Sequence, residues 1–443
     1  MADQLFEKAS IYGHVAPTGC TAEEEELIAR RSAALGPAYK LFYDPPLHLV
    51  RGEGVWLFDQ EGRRYLDAYN NVPSVGHSHP RVLEALTRQS ALLNTHTRYL
   101  HDQIVTYAED LLGLLPQAID RIMFTCTGSE ANDLALRVAQ QATGGTGIVA
   151  TDLAYHGGTA AVAAFSPSLG GKTPPHVRLV AAPSAYHDET GDVGARFATD
   201  VASAFADLKA AGHEACLFIF DSIFSSDGVL TDPAGFLQGA VDAARAAGAL
   251  IVADEVQPGF GRTGGHFWGF ARHGIAPDLV TMGKPMAAGH PVAAVAGRAE
   301  IMDQFGQASR YFNTFGGTPV AAAVAQTVLD VIREEALMAH AAQVGGQMLA
   351  DLRNLASSHE VIGDVRGAGL FLGVELVTDR AMRAPATQLS ASVVNEMRAR
   401  GVLISRAGPG ANCLKIRPPL PFSQSNAEML VETLDAVLRE RTR

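Results

Sequence analysis

Two short apolar runs near the middle of the chain constrain its fold more than any other feature. The first, Ala249–Ala253, ends at the carboxylate of Asp254, and the second, Leu279–Met282, comes just before Gly283 and Lys284. Runs of this kind are typical of strands buried in a parallel sheet. Because open parallel sheets build their sites at the strand ends, we expect Asp254 and Lys284 to face one crevice.

A carboxylate and a lysine that face each other across such a crevice fit the chemistry of pyridoxal phosphate. The lysine can hold the aldehyde of the cofactor as a Schiff base. The carboxylate can keep the pyridine nitrogen protonated, so that the ring accepts electrons. Structural ion pairs also occupy such positions, so Asp254 and Lys284 alone leave both interpretations open.

Composition excludes several other classes of protein. The chain has 443 residues, of which 47% are hydrophobic and 19% are charged, so it can form two or three domains with a large core. A net charge of −12, with no run of Lys or Arg, argues against a nucleic-acid surface. The four cysteines are scattered, which indicates reduced thiols and no metal site. Because we find neither a transmembrane-length apolar run nor a signal sequence, we expect a cytoplasmic protein with no membrane partner.

The order of the expected elements indicates the fold class. We expect a helix after Thr21, a β-hairpin over Val55–Asp67 and a helix from Arg81. From Arg121 onward strands and helices alternate, which is typical of a parallel sheet covered on both faces. Strands are expected at Ile122–Phe124, Ile148–Ala150 and Leu217–Phe220, and helices at Glu130–Gln141, from Asp232-Pro233 to Ala247 and from Thr318 to Glu334. Two more helices and short strands are expected towards the C terminus.

These elements predict an α/β protein with two domains. The large domain, residues 61–320, contains a mostly parallel sheet. The small α+β domain is built from both chain ends, residues 1–60 and 321–443.

Four other segments contain groups that suit a phosphorylated ring. Thr127-Gly128-Ser129 lies between a strand and a helix, where backbone N–H groups and hydroxyls can bind a phosphate. Tyr155 follows a strand and offers a ring to stack on. Gln257 lies three residues after Asp254, and Thr314 offers a second hydroxyl for the phosphate.

Taken together and in this order, these segments resemble the class III, fold-type I pyridoxal phosphate enzymes, over roughly residues 40–440. The resemblance implies that Lys284 binds the cofactor and shuttles protons, while Asp254 pairs with the pyridine nitrogen. By the same resemblance, the remaining cofactor contacts are Tyr155 and Val256 on the ring faces, Gln257 at the ring oxygen, and Thr127, Gly128 and Ser129 at the phosphate. Thr314 is expected to reach the phosphate from a partner subunit, so the protein is expected to be a homodimer or a dimer of dimers.

Two departures argue against the aminotransferase activity that is usual in this family. Ser226 stands where the family usually has a glutamate, and Lys415 stands where it usually has a carboxylate-binding arginine, although Arg417 lies close by. A lysine supplies charge but lacks the planar two-pronged grip of an arginine. Both halves of the switch that lets a transaminase accept a keto acid therefore look altered.

Other segments resemble the phospholyases of this class, which act on O-phosphoethanolamine and 5-phosphohydroxylysine. They are Asn70-Asn71-Val72, residues 76–80 and 93–102, Lys284-Pro285-Met286 and Gly289-His290-Pro291. We therefore predict a lyase that eliminates phosphate from a small phosphorylated amine, most simply O-phosphoethanolamine. The alternatives are an aminotransferase that uses an ω-amine or alanine, and a non-enzymatic carrier of the cofactor.

The group that holds the substrate phosphate is the least constrained part of this prediction. The candidates are Arg98, His77 and Lys415. Arg98 is preferred because a guanidinium binds two phosphate oxygens at once. Alternatively, Arg98 only pairs with Asp102, one helical turn further on.

Overall fold

The computed structural model describes residues 19–441. Before the central sheet, the strands are β1 (Leu49–Glu53), β2 (Trp56–Asp59) and β3 (Arg64–Asp67), and the helices are α1 (Ala22–Leu35), α2 (Pro80–Leu92) and α3 (Asp102–Leu112). Helix α1 begins with a reciprocal cap, in which Thr21 accepts from the backbone of Glu24 and the Glu24 carboxylate accepts from Thr21. The predicted hairpin and the helix from Arg81 are confirmed.

A seven-stranded sheet forms the centre of the molecule. Its strands are β4 (Arg121–Thr125), β5 (Gly147–Thr151), β6 (Val177–Val180), β7 (Ala215–Asp221), β8 (Leu250–Asp254), β9 (Leu279–Met282) and β10 (Ala293–Gly297). Their order is β4-β10-β9-β8-β7-β5-β6. Strands β6, β5, β7, β8 and β9 are parallel, whereas β10 runs antiparallel to both β9 and β4. The α/β class and the buried parallel strands that end at Asp254 and before Lys284 are confirmed.

Helices cover both faces of this sheet. They are α4 (Gly128–Thr143), α5 (Ala160–Ala163), α6 (Val193–Ala210), α7 (Gln238–Ala246) and α8 (Ala299–Ala308), followed by α9 (Pro319–Glu334). Two large apolar clusters, one on each side of the sheet, form the core. Such double coverage explains why the inner strands β7 and β8 are apolar up to their final aspartate instead of alternating.

The C-terminal region carries a second sheet and three helices. The strands are β11 (Ile362–Ala368), β12 (Phe371–Asp379), β13 (Ala384–Pro385), β14 (Val402–Leu403), β15 (Ser405–Ala407) and β16 (Cys413–Ile416), and the helices are α10 (Leu337–Ala356), α11 (Thr387–Ala399) and α12 (Gln424–Arg441). Strand β14 is not part of the C-terminal sheet; it pairs in parallel with β3 and so joins the N-terminal sheet of β1, β2 and β3. The proposed domain limits at residues 60 and 320 stay a prediction.

Two expectations about helices were wrong. The C-terminal region has three helices beyond α9 instead of two. Helix α7 begins at Gln238 and not at Asp232-Pro233, because the Asp232 carboxylate accepts from Arg272 Nη2 at 2.6 Å instead of capping a helix. None of the helices in the range 19–441 is long and apolar enough to cross a membrane. The cytoplasmic location stays a prediction.

Candidate active site

A cavity of about 300 Å³ opens beyond the carboxyl ends of β7, β8 and β9. Its wall brings together almost the whole predicted cofactor set: Thr127, Gly128, Ser129, Tyr155, Asp254, Val256, Gln257 and Lys284. These residues come from four segments that are far apart in sequence. The strand order places those segments side by side, as expected for a site at the edge of a parallel sheet.

The turn before α4 forms a cradle at one end of the cavity. Thr127 caps α4 by accepting from the backbone of Glu130, and the first N–H groups of the helix lie beside it. A Cβ on Gly128 would lie 3.0 Å from a methyl of Val256, so a larger residue would displace the side chain expected beneath the ring. Ser129 Oγ accepts from the backbone of Gly158 at 3.1 Å. A helix N-terminus with no side chain at its first residue is a suitable site for a phosphate group.

Asp254 is held in one orientation at the base of the cavity. Its Oδ2 lies 2.7 Å from His156 Nδ1 and accepts from Asn132 Nδ2 at 2.9 Å, while Oδ1 accepts from the backbone of Val256. Thr281 donates to Asn132 Oδ1 at 2.6 Å, so the amide is fixed as well. Asp254, Asn132 and His156 are all at least 96% buried. These contacts leave the Asp254 carboxylate little freedom to rotate, which suits a partner for a pyridinium nitrogen.

Lys284 lies across the cavity from this carboxylate, in a short helical turn that follows β9. Burial lowers the pKa of the Lys284 amine, while the opposite charge of Asp254 acts against that shift and the positive charge of Arg417 adds to it. The Nζ atom lies 5.9 Å from the centroid of the Tyr155 ring. A desolvated amine of this kind is a better nucleophile and base at neutral pH than a lysine in water.

A second group of charges lies beside Asp254, where β7 ends. Asp221 pairs in register with Asp254, and burial together with the neighbouring carboxylate raises the pKa of Asp221. Lys415 is buried, and its Nζ donates to the carbonyl of Ser225 at 2.6 Å. Burial, with Arg417 close by, lowers the pKa of Lys415 well below its ordinary value. Lys415 is thus fixed to the loop that carries Ser226.

The other predicted phosphate contacts lie off the cavity wall. The Nε2 atom of His77 lies 2.6 Å from Oδ2 of the fully buried Asp67. Arg98 is exposed, and its guanidinium carbon lies 3.9 Å from the centroid of the Phe312 ring. Over residues 19–441 it makes no ion pair with Asp102, so the structure gives no support to that alternative. Thr314, two residues after Phe312, is also exposed.

Sequence reasoning assigned no role to several residues of the cavity wall. His156 and Asn132 hold Asp254, and Asp221, Cys126 and His290 line the wall. His156 directly follows Tyr155, which the sequence analysis had already selected. Its position could therefore have identified it as a residue of the site. Asn132 lies one helical turn after Ser129, which places both on the face of α4 that meets the sheet.

The residues fit pyridoxal phosphate as a cofactor. Thr127, Gly128 and Ser129 would hold its phosphate, Tyr155 and Val256 would enclose its ring, and Lys284 and Asp254 would meet its aldehyde and its pyridine nitrogen. The donor set around Asp254 and the open cradle at Gly128 are the observations on which this fit rests. Over residues 19–441 no group of three or more His, Cys, Asp or Glu side chains could hold a metal ion.

Comparison with known proteins identifies the family of the chain. The family model of the class-III aminotransferases matches residues 41–438. A solved phospholyase from Arthrobacter in complex with phosphoethanolamine is 45% identical, with a TM-score of 0.90, and the match covers 93% of this chain and 99% of that one. An ethanolamine-phosphate phospho-lyase homolog of Caenorhabditis elegans is 36% identical, covering 94% of this chain and 93% of that protein. An alanine–glyoxylate aminotransferase 2-like protein of Drosophila melanogaster is 41% identical, and the match covers 94% of this chain and 88% of that protein.

The chain therefore belongs to the class-III aminotransferase family of fold-type I enzymes. Enzymes of this family use pyridoxal phosphate. Its relatives include proteins named as phospholyases and proteins named as aminotransferases, so membership alone leaves the reaction open.

Proposed function

We propose that the protein is a phospholyase that eliminates phosphate from a small phosphorylated amine, with O-phosphoethanolamine as the favoured substrate. The observation that carries this proposal is the position of Lys415, which is buried and bonded to the carbonyl of Ser225. A fixed lysine cannot grip a carboxylate with two parallel hydrogen bonds. Phosphoethanolamine has an amine and a phosphate but no carboxylate, so the substrate does not need that grip.

The chain's own residues would perform the proton transfers. When bound, pyridoxal phosphate supplies an electron-accepting ring that stabilises negative charge on the amine-bearing carbon. Asp254, fixed by His156 and Asn132, would keep the pyridine nitrogen protonated. Lys284, released from the cofactor by the incoming amine, would remove a proton from the amine-bearing carbon.

The elimination balances without a second organic substrate. The bond between the neighbouring carbon and the ester oxygen breaks, and phosphate leaves with the electron pair. The two carbons gain a double bond, and Lys284 returns a proton as the product is released. Water then hydrolyses the enamine product to acetaldehyde and ammonia.

Two relatives support this assignment through what they are named to bind or do: the Arthrobacter phospholyase with phosphoethanolamine, and the nematode homolog of an ethanolamine-phosphate phospho-lyase. The second candidate function is an aminotransferase, favoured by the 41% identity with the alanine–glyoxylate aminotransferase 2-like protein of Drosophila. A carrier without activity is not favoured, because the acid, the lysine and the phosphate cradle are all present.

We also propose that the site is completed by a second subunit. Arg98 lies over the ring of Phe312, two residues before Thr314, and the two segments carry exposed large apolar side chains, defined here as the apolar strip: Leu92, Tyr99, Leu100, Phe312 and Phe315. These side chains are 42% to 103% exposed, which is unusual for large apolar residues that face only water. Burial of the strip in a homodimer would carry Thr314 towards the cofactor phosphate of the partner, and Arg98 with it.

The proposal is tested by phosphate release from holoenzyme without any keto acid. O-Phosphoethanolamine and phosphohydroxylysine are compared with unphosphorylated ethanolamine, and acetaldehyde is measured beside phosphate. We expect phosphate and aldehyde in equal amounts. A strict requirement for pyruvate or 2-oxoglutarate, with transfer of the amine and no phosphate release, would instead establish the aminotransferase.

A further inference from the structure

Beside Gln257, on the side of the cavity towards the C-terminal sheet, two neighbouring side chains have buried N–H donors that lack an acceptor. Asn71 is 98% buried, and its Nδ2 atom has no hydrogen-bond partner within residues 19–441. The Nε atom of Arg417 is likewise buried and unpartnered over the described chain. Buried donors without acceptors are uncommon, and each one calls for an explanation such as a ligand.

The two side chains are joined and held in place. Arg417 Nη1 donates to Asn71 Oδ1 at 2.9 Å and to Gln257 Oε1 at 3.0 Å. The guanidinium carbon lies 4.8 Å from the centroid of the Tyr69 ring, which limits its rotation. Gln257 lines the cavity, and Val72, the residue after Asn71, lines it as well. The donors are therefore next to the wall of the active site and are already ordered.

The surrounding charge favours an anion. Arg262 is fully buried beside Arg417, and its Nη2 atom is also without an acceptor among residues 19–441. The nearest carboxylate, that of Asp67, is engaged by His77 and by the backbone of Tyr69 and Asn70. In the described chain neither guanidinium forms an ion pair with a carboxylate. Two neighbouring guanidinium groups that form no ion pair within residues 19–441 and keep a free N–H group each are arranged to accept a further negatively charged group.

We infer that Asn71 and Arg417 form the subsite that takes the phosphate group of the substrate from within the same subunit. This inference rests on the proposed phospholyase function and deepens it. A phosphate has enough oxygen acceptors for the free amide of Asn71 and for the guanidinium edge of Arg417 at once. An unphosphorylated amine leaves both donors unsatisfied, so the subsite selects against it.

The most discriminating variant is Asn71→Asp. It is isosteric, and its carboxylate would pair with Arg417 and occupy the place of the phosphate. In holoenzyme, we expect the KM for phosphoethanolamine and the inhibition constant of inorganic phosphate to rise at least about tenfold. The dissociation constant of unphosphorylated ethanolamine, read from the cofactor absorbance, should change by less than about twofold.

A control variant matched in net charge and a second variant at Arg417 separate a specific effect on the subsite from a general effect of charge. Arg121→Gln removes one positive charge from a surface pair with Asp303 at the far end of β4, so it changes net charge by the same amount as Asn71→Asp and should leave both constants unchanged. Arg417→Lys keeps the charge but loses the fork, so phosphate binding should weaken at least about fivefold. Only variants that retain the cofactor absorbance and the melting temperature of the parent are compared.

The outcomes separate this inference from the function on which it rests. Phosphate release by the parent with unchanged phosphate constants in both variants would overturn the subsite and leave the lyase standing. If the parent releases no phosphate from any phospho-amine, the function fails. In that case, calorimetric titration of the holoenzymes with inorganic phosphate decides the subsite: binding that both variants weaken supports it, and absence of binding to the parent overturns it.

Discussion

The Nδ1 atom of His156 lies 2.7 Å from Oδ2 of Asp254, and the imidazole is 97% buried. Its other ring nitrogen has no hydrogen-bond partner in residues 19–441, so the contact with Asp254 is the polar interaction that orients the ring. Asn132 donates to the same carboxylate oxygen. The acid that would pair with the pyridine nitrogen is therefore supported by two side chains, one from helix α4 and one from the loop after β5, and both supports can be tested.

Asp254→Asn is expected to lower the turnover number by at least about a hundredfold, because a neutral amide cannot stabilise a protonated pyridine nitrogen. Steady-state phosphate release and cofactor content are measured together, so that loss of cofactor is not mistaken for loss of rate. A drop of less than about tenfold, roughly 1.4 kcal/mol, would show that Asp254 does not have this role.

His156→Ala should lower the rate by about tenfold, because Asp254 loses one donor and its fixed orientation but keeps its charge. Since the imidazole would act through the acid, His156→Ala should add almost nothing in the background of Asp254→Asn. Additive losses in the double variant would mean that His156 acts independently, for example by packing alone.

Lys284→Ala should retain the fold but lose turnover and the visible absorbance of the lysine-bound cofactor, because no other lysine among residues 19–441 lines this cavity. Circular dichroism and the visible spectrum report the two effects separately. Residual phosphate release above the background without enzyme would exclude Lys284 as the base.

Lys415→Arg should give the enzyme a measurable alanine–pyruvate exchange that the parent lacks, because a guanidinium restores two parallel hydrogen bonds to a carboxylate. The burial of Lys415 and its bond to Ser225 make a simultaneous Ser226→Glu change the stronger form of the test. Amino transfer is followed by product formation, with phosphate release as the internal comparison. No gain of transfer in either variant would show that other features exclude carboxylates.

Arg98→Ala should raise the KM for phosphoethanolamine and lower the rate, while leaving the cofactor spectrum intact. If Arg98 acts in the partner's site, mixing this variant with Lys284→Ala subunits should restore activity, because one site of each mixed dimer has both Lys284 and Arg98. The control is a sample taken through the same mixing procedure in which every subunit carries Arg98→Ala. Failure to recover activity in proven mixed dimers would mean that Arg98 does not act across the interface.

The sequence alone was enough to predict the parts of the cavity that depend on residues close together along the chain. The strand that ends at Asp254, the turn at Thr127-Gly128-Ser129 and the lysine after β9 were predicted because each depends on a local pattern of apolar and polar residues. Fold class followed from the same alternation of strands and helices.

The features that the sequence did not predict depend on contacts between segments that are distant along the chain. The bond between Asn71 and Arg417 joins residues 346 positions apart, and no local pattern encodes such a pairing. The start of α7 was misplaced for a related reason, since Arg272 takes the carboxylate of Asp232 that the local pattern assigned to a cap. The exposed position of Arg98 and Thr314 is also a property of the folded surface and not of their neighbours in sequence.

The parallel pairing of β14 with β3 has a consequence for how the protein is made. The edge of β3 that meets Val402 and Leu403 stays open until these two residues have left the ribosome, long after β3 itself has done so. An unpaired strand edge readily pairs with strands of other molecules. The nascent chain is therefore prone to aggregate through β3 for as long as Val402 and Leu403 have not emerged. During biosynthesis, the arrival of β14 thus protects the N-terminal hairpin by pairing with the open edge of β3.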